Sequence, residues 1–381
     1  MNKRTSFLPF AKPDIDKEDI QAVVNALESG WLSKGPKVLE FEEQLQCFFG
    51  GRYVVTCNSG TAALHLALLA AGIKEGDEVI VPSFTFASTI NVIVHVGATP
   101  IFADVQEDTF CIDVQDVVSK LTSRTKAIVA VHYAGLSADI DSLMNVCNQH
   151  NLLLIEDAAH AMGAYYKNKP IGTHGHIVCF SFYATKTLST GEGGALVTDD
   201  KQIADQARLL SWHGIESNAW KRYAKAGSWR YELLLPGYKY NMTDPQAALG
   251  ITQLAKLSAM QSKRAQIAEV YLNRLHSHVQ LPHVDSDSGN VHAWHLFPIR
   301  IKPDCGISRD DFISSLKDYG IGTSVHFIPV HMQPFYAEWP RLSLPVTELV
   351  FSEIVSLPIY SLMTVADAQY VAETINYVCV K

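Results

Sequence analysis

Through the first two hundred residues, short β-rich apolar runs alternate with stretches whose apolar positions recur at helical spacing. The runs are YVVTC (53–57), DEVIVPS (77–83), ATPIFADV (98–105), KAIVAVHY (126–133), NLLLIEDAA (151–159), HIVCFSFYA (176–184) and GGALVTDD (193–200). TAALHLALLAAGI and TFASTINVIVHVG are two of the stretches between them. Continuous Val/Ile/Leu runs predict strands covered on both faces. Alternating with helices, they predict an α/β fold with a mostly parallel central sheet.

Near Pro245 the texture changes. Residues 246–275 are rich in Ala, Leu, Gln and Lys and lack proline, which predicts one long helix. A polar turn follows at Ser286-Asp287-Ser288-Gly289-Asn290, then a strand over 292–301. A helix opened by Ser308-Arg309-Asp310-Asp311, a strand over 322–328 and a last helix from Val365 complete the pattern. The expected organisation is a large domain over 1–250 and a small C-terminal α+β domain over 251–381.

Composition supports this division, since 381 residues suit two domains of roughly 100–200 residues each. The chain is 48% hydrophobic and only 18% charged, against a usual charged share of about 25%. Disorder is excluded, and the low charge suits a surface that partly meets a second subunit. A net charge of −8 argues against a nucleic-acid partner. It leaves room for a small anionic substrate, which needs only a few local cations. No apolar run is long enough to span a membrane, residues 1–12 do not resemble a secretory signal, and a cytoplasmic protein is expected. Seven cysteines without a CxxC or a histidine cluster read as buried free thiols, with no metal site.

Four strand-end loops carry candidate chemistry, because open α/β sheets bind ligands beyond the carboxyl ends of their strands. Asn58-Ser59-Gly60-Thr61-Ala62 follows a strand and opens a helix. Hydroxyls and bare amides there suit a phosphate, although ordinary N-capping would use the same residues. Neither a Walker P-loop nor the GxGxxG dinucleotide spacing is present. Ile155-Glu156-Asp157-Ala158-Ala159-His160 places carboxylates after an apolar strand, where they need a cation or several donors. A helix cap and a core histidine are the plainer alternatives for Asp157 and His160. Ser181-Phe182-Tyr183-Ala184-Thr185-Lys186 ends another apolar strand, and a buried lysine there could hold its amine neutral for imine chemistry. Pro82-Ser83-Phe84-Thr85-Phe86 brings aromatics that could equally pack in the core.

Together these groups converge on pyridoxal phosphate. That cofactor needs a lysine for its aldehyde, a carboxylate for its ring nitrogen, hydroxyls and amides for its phosphate, and an aromatic face. The segments SGWLSKGPKVLEFE, NSGTAALHLAL, PSFTFAST, EDAAHAMGA, FSFYATKTLSTGEGGALVTDD, PGYKYNMTDPQAALG and HFIPVHMQPFY resemble the DegT/DnrJ/StrS family. These are nucleotide-sugar aminotransferases of the fold type I pyridoxal-phosphate enzymes. The resemblance implies that Lys186 holds the cofactor's aldehyde, Asp157 its ring nitrogen, and Phe86 its ring face. His160 would lie beside its phenolic oxygen, and Gly60, Thr61, Ala62 and Ser181 would bind its phosphate. Asn241 would reach the phosphate of a partner subunit, implying a homodimer with shared active sites.

On the substrate side the resemblance points to Trp31, Lys34, Tyr183, His213, Arg230, His326 and His331. Lys34 and Arg230 are the cations that could meet a diphosphate. L-glutamate is the implied amino donor, leaving as 2-oxoglutarate, and the implied acceptor is a nucleotide-linked 4-keto sugar. Segments such as TKAIVAVHYAGLSADID and VHAWHLFPIRI most resemble the branch that makes UDP-4-amino-4-deoxy-L-arabinose for surface polysaccharide or lipid A. Phe86, Tyr183 and the IPVHMQPFY segment depart from that branch, leaving another UDP-, dTDP- or GDP-linked 4-keto-6-deoxy sugar as the alternative. A sugar dehydratase of this fold would carry histidine in place of Lys186. A non-catalytic regulator would need a further DNA-binding module, and a desulfurase a cysteine in a flexible loop.

Overall fold

The computed structural model describes residues 3–215, 231–275, 278–284, 288–337, 339 and 343–379. Two helices, α1 (Lys17–Glu28) and α2 (Pro36–Phe48), lead into β1 (Tyr53–Cys57). Next come α3 (Gly60–Ala70), β2 (Glu78–Pro82), α4 (Ala87–His95), β3 (Thr99–Ala103), α5 (Val114–Ser119), β4 (Thr125–Val131), α6 (Ile140–His150) and β5 (Leu153–Asp157). A small hairpin, β6 (Tyr165–Tyr166) with β7 (Lys169–Pro170), precedes β8 (Ile177–Ser181), β9 (Gly194–Thr198) and α7 (Lys201–Ser211).

Seven strands form the central sheet in the order β1-β9-β8-β5-β4-β2-β3. Only β9 runs against its neighbours, so the predicted mostly parallel sheet is present. Side chains alternate across it as the pleat requires. Val54, Ile80, Ile128, Leu154 and Val178 face one core with Phe41 and Leu45 of α2. Val55, Val79, Val129, Ile155 and Ile177 face the other, under α3 and α4. Being covered on both sides, the strands have no reason to alternate polar and apolar residues.

The long helix expected over 246–275 is instead two, α8 (Asp244–Ala255) and α9 (Leu257–Arg274), broken at Lys256. The residues on both sides favour helix, so the break is a tertiary effect. Lys256 departs from helical geometry where its ammonium meets Asp16 (2.8 Å) and Asp19 at the start of α1. A second, antiparallel sheet joins β10 (Val279–Gln280), β11 (Phe297–Ile301) and β12 (Ile354–Leu357). It packs with α9, α10 (Arg309–Asp318) and α12 (Val365–Cys379) around Tyr271, Phe312 and Val371, while α11 (Pro345–Glu353) precedes β12. Leu8 joins that core and bridges to Ile321, so the N-terminal segment is pinned to the turn that follows α10.

Two expected strands are shorter than predicted. Of 292–301 only Phe297–Ile301 pairs as a strand. Residues 292–296 are pulled out of the sheet by backbone bonds from Ala293 to Gly135 (2.9 Å) and Leu296 to Ala134 (3.1 Å). Segment 322–328 makes only an isolated bridge, Ser324 to Ser356, before Val330 bonds the Ser83 carbonyl just beyond β2. The final helix begins at Val365 as expected, whereas Ser286 and Asp287 of the polar turn lie outside the described residues. Cys47 is exposed and the other six thiols are buried, so the expectation of buried cysteines fails at that one position.

Candidate active site

The central strands end in one cavity of about 440 Å3. Its floor begins where α3 starts. Ser59 caps that helix by accepting the Ala62 N–H at 3.1 Å. Among the described residues no group accepts the Gly60 or Thr61 N–H, and the first turn of a helix leaves such amides unpaired. Capping and anion binding are therefore compatible here, because they use different amides. Gly60 lies so near Ser181, at the end of β8, that a Cβ on it would stand 2.7 Å from the Ser181 Cβ. The two bare amides and the Ser181 hydroxyl form a concave donor set fitted to a phosphate.

Asp157 ends β5, held between β4 and β8. Its Oδ2 accepts the Thr89 hydroxyl at 2.7 Å and its Oδ1 the Ala159 N–H at 3.1 Å. Burial pushes this carboxyl above its ordinary range; Thr89, the Ala159 amide and the charge on Lys186 oppose the shift. A pyridinium N–H beside Asp157 would supply further counter-charge and favour the carboxylate.

Lys186 follows β8 and lines the same cavity. The residue as a whole is half-buried because the cavity reaches it, yet desolvation lowers its ammonium to about 8, with Asp157 opposing. A lysine so shifted has neutral amine available near neutral pH, as capture of an aldehyde requires. His160 accepts the Ala134 N–H at Nδ1 (3.3 Å), which leaves its proton on Nε2. Burial first, then the Lys186 charge, hold it neutral. Phe86 is 60% exposed at the rim, 5.8 Å from the Phe327 ring, whereas Phe84 lies in the core.

The cavity thus gathers Gly60, Thr61, Phe86, Asp157, His160, Ser181, Tyr183, Lys186 and His326 from the sequence candidates. His326 is fixed by a contact between its Nδ1 and the Ser356 hydroxyl at 2.9 Å, and burial lowers it to about 4. Six described candidates do not line the cavity. The Ala62 amide serves the Ser59 cap, and Asn241 bonds the Met242 carbonyl beside β1. Trp31 lies in the exposed loop before α2, and Lys34 sits half-buried near Glu42 and Arg208. His213 adopts a positive φ after α7, and its N–H bonds the Tyr238 carbonyl. His331 packs against Ser83 (2.6 Å) and Glu348, joining β2 to α11. Arg230 lies outside the described residues. Sequence reasoning passed over Thr89, Glu192, His295 and Phe327, of which the last three line the cavity. A histidine inside the apolar run HAWHLF was the available signal for His295.

Residues 13–376 match the signature of the DegT/DnrJ/EryC1/StrS aminotransferase family. The chain belongs to that family. It is 48% identical to the spore coat polysaccharide biosynthesis protein SpsC of Bacillus subtilis, over 99% of this chain and 98% of that one. Among solved structures it resembles the pyridoxal-phosphate form of the sugar aminotransferase Spr1654 from Streptococcus pneumoniae. That likeness has a TM-score of 0.90 at 31% identity, covering 98% of this chain and 99% of that one. It also resembles PseC of Helicobacter pylori, an aminotransferase of pseudoaminic acid biosynthesis, with a TM-score of 0.90 at 29% identity and the same coverage. This family member is a pyridoxal-phosphate-dependent sugar aminotransferase with an α/β fold. When bound, the cofactor supplies an aldehyde and an electron-withdrawing ring.

Proposed function

We propose that this cavity moves an amino group from L-glutamate to a nucleotide-linked 4-keto sugar, with 2-oxoglutarate released. The carrying observation is that Lys186, Asp157 and the bare amides of Gly60 and Thr61 open into one cavity. In this reading Lys186 would hold the aldehyde and, once released, would move a proton at the substrate carbon. Asp157 would keep the ring nitrogen protonated, His160 would offer its Nε2–H to the phenolic oxygen, and Phe86 would cover the ring. Gly60, Thr61 and Ser181 would serve the phosphate directly, Ala62 only by holding the Ser59 cap of the same turn, with Asn241 reaching it from a second copy in a homodimer. Trp31, Lys34, Tyr183, His213, Arg230, His326 and His331 serve the sugar nucleotide.

Residues 1–250 would carry the cofactor, and 251–381 would help cover the site through His295, His326 and Phe327. The acceptor is taken as a UDP-4-keto-pentose, in a cytoplasmic route to a surface polysaccharide or lipid A. The exposed Phe86 and Tyr183 favour a second reading, a 4-keto-6-deoxy sugar whose methyl group would pack on those faces. Glutamate-dependent amination of a panel of UDP-, dTDP- and GDP-linked 4-keto sugars separates the two. Amination of the UDP-pentose alone supports the first, and preference for 6-deoxy sugars the second. Amination of none would remove both.

A further inference from the structure

His295 is a histidine where a core would be served better by a phenyl ring. Only 7% of it is exposed, and its Nδ1 is sealed from solvent without a hydrogen-bond partner. A partnerless buried nitrogen is destabilising, and an apolar ring of the same size would avoid it. Yet the side chain also lines the cavity that holds Lys186 and His160. Its ring lies 4.5 Å from that of His160, tilted by 40°.

The flanking backbone fixes this placement. Ala293 donates to the Gly135 carbonyl and Leu296 to that of Ala134, so His295 is carried on a two-point clamp. The clamp leaves no slack: a Cβ on Gly135 would come within 2.8 Å of the Ala293 Cβ. The Ala134 N–H in turn donates to His160 Nδ1. One short loop therefore positions both imidazoles.

Their tautomers follow from the same contacts. An unpaired lone pair is tolerated in a core more readily than an unpaired N–H, so the proton of His295 belongs on Nε2 rather than on sealed Nδ1. Nε2 lies on the far edge of the ring, away from the backbone. Burial and the neighbouring Lys186 charge both keep His295 neutral, so it offers one N–H and no positive charge.

We propose that His295 Nε2–H is a substrate-contacting donor, paired with His160, for an oxygen on the carbon skeleton that exchanges its amino group at Lys186. That oxygen is a carboxylate oxygen of the amino donor or a hydroxyl of the keto sugar. The inference deepens the aminotransferase reading and rests on it. His160 serves the cofactor, and His295 the molecule that reacts with it. A neutral donor suits a site that must accept an anionic amino acid and an uncharged sugar ring in turn.

The test uses the purified holoenzyme and three variants, His295→Phe, His295→Gln and His295→Leu. Each half-reaction is followed separately through the cofactor's absorbance, first with L-glutamate alone, then with the keto-sugar nucleotide. His295→Phe keeps the ring and removes the N–H. It is expected to raise the half-saturating concentration of at least one partner tenfold or more, with cofactor affinity near that of the parent and a melting temperature at or above it. The half-reaction affected identifies the oxygen. His295→Gln, which restores a donor, should recover much of the loss, and His295→Leu should not. Histidine-labelled 15N spectra of the parent protein should show His295 as the neutral Nε2–H tautomer. Both half-reactions within twofold of the parent in His295→Phe would overturn the proposal, as would an Nδ1–H tautomer. A variant that weakens only cofactor binding would also overturn it, by placing the role on the cofactor. Failure of the parent to bind cofactor at Lys186 would instead sink the underlying reading.

Discussion

Thr89 donates its hydroxyl to Oδ2 of Asp157 at 2.7 Å, across 68 positions of sequence. This bond helps keep a buried carboxylate charged and adds an anchor on a helix, since Thr89 lies in the first turn of α4, to the Ala159 amide of the following loop. Replacing it by valine keeps the shape and removes the donor. A hydrogen bond to a charged group contributes about 1.5–3 kcal/mol, so Thr89→Val should weaken cofactor binding or turnover by roughly ten- to a hundredfold. Spectrophotometric titration with pyridoxal phosphate measures the first and steady-state assay the second. Parent-like values in both would show that Asp157 needs no such support.

Lys186 gives a pH dependence of definite sign. Its ammonium is lowered to about 8, chiefly by desolvation. Only the neutral amine captures an aldehyde, so the rate at which the cofactor-free protein takes up pyridoxal phosphate should climb with pH and level off above about 8. Stopped-flow absorbance at a series of pH values reads this directly. A rate that kept rising towards the ordinary lysine range would mean that burial does not shift the group.

Gly60 is required by the approach of α3 to β8. A methyl group there would stand 2.7 Å from the Ser181 Cβ, and overpacking of this kind costs about 1–3 kcal/mol. Gly60→Ala should lower the melting temperature of the cofactor-free protein and weaken cofactor binding at least tenfold. Binding as tight as that of the parent would show that the close approach of α3 to β8 does not set the position of the phosphate-binding turn.

The central sheet was readable in the sequence because its strands are apolar runs covered on both faces, most of them separated by helices. YVVTC coincides with β1, and the other runs end within a few residues of their strands. The lysine, the aspartate and the Gly60 turn were readable for a related reason: each sits where a strand ends. Thr89 and His295 were not. Thr89 matters only through a carboxylate distant in sequence, and His295 lies in an apolar run that reads as strand until Gly135 and Ala134 draw its backbone aside. The break at Lys256 depends likewise on Asp16 and Asp19 of a remote helix.

Asn241 lies apart from the Lys186 cavity of its own chain, beside β1. If it serves the site of a second copy, two defective chains should repair one another. Mixing Lys186→Ala with an inactive Asn241→Asp variant, under conditions that exchange subunits, should restore up to about a quarter of parental activity, because half the mixed pairs' sites are intact. Co-purification through a tag carried by only one of the two variants verifies that hybrids form. Hybrids without activity would place Asn241 outside a shared site.

The most direct test of the central claim is a single half-reaction. Purified protein loaded with pyridoxal phosphate is mixed with L-glutamate, in the absence of any sugar, and its visible absorbance and the 2-oxoglutarate formed are followed together. The predicted result is loss of the visible band with one equivalent of 2-oxoglutarate per site, and no such conversion in Lys186→Ala. Conversion by Lys186→Ala at the parental rate, or a parent whose visible band glutamate leaves unchanged, would contradict the account.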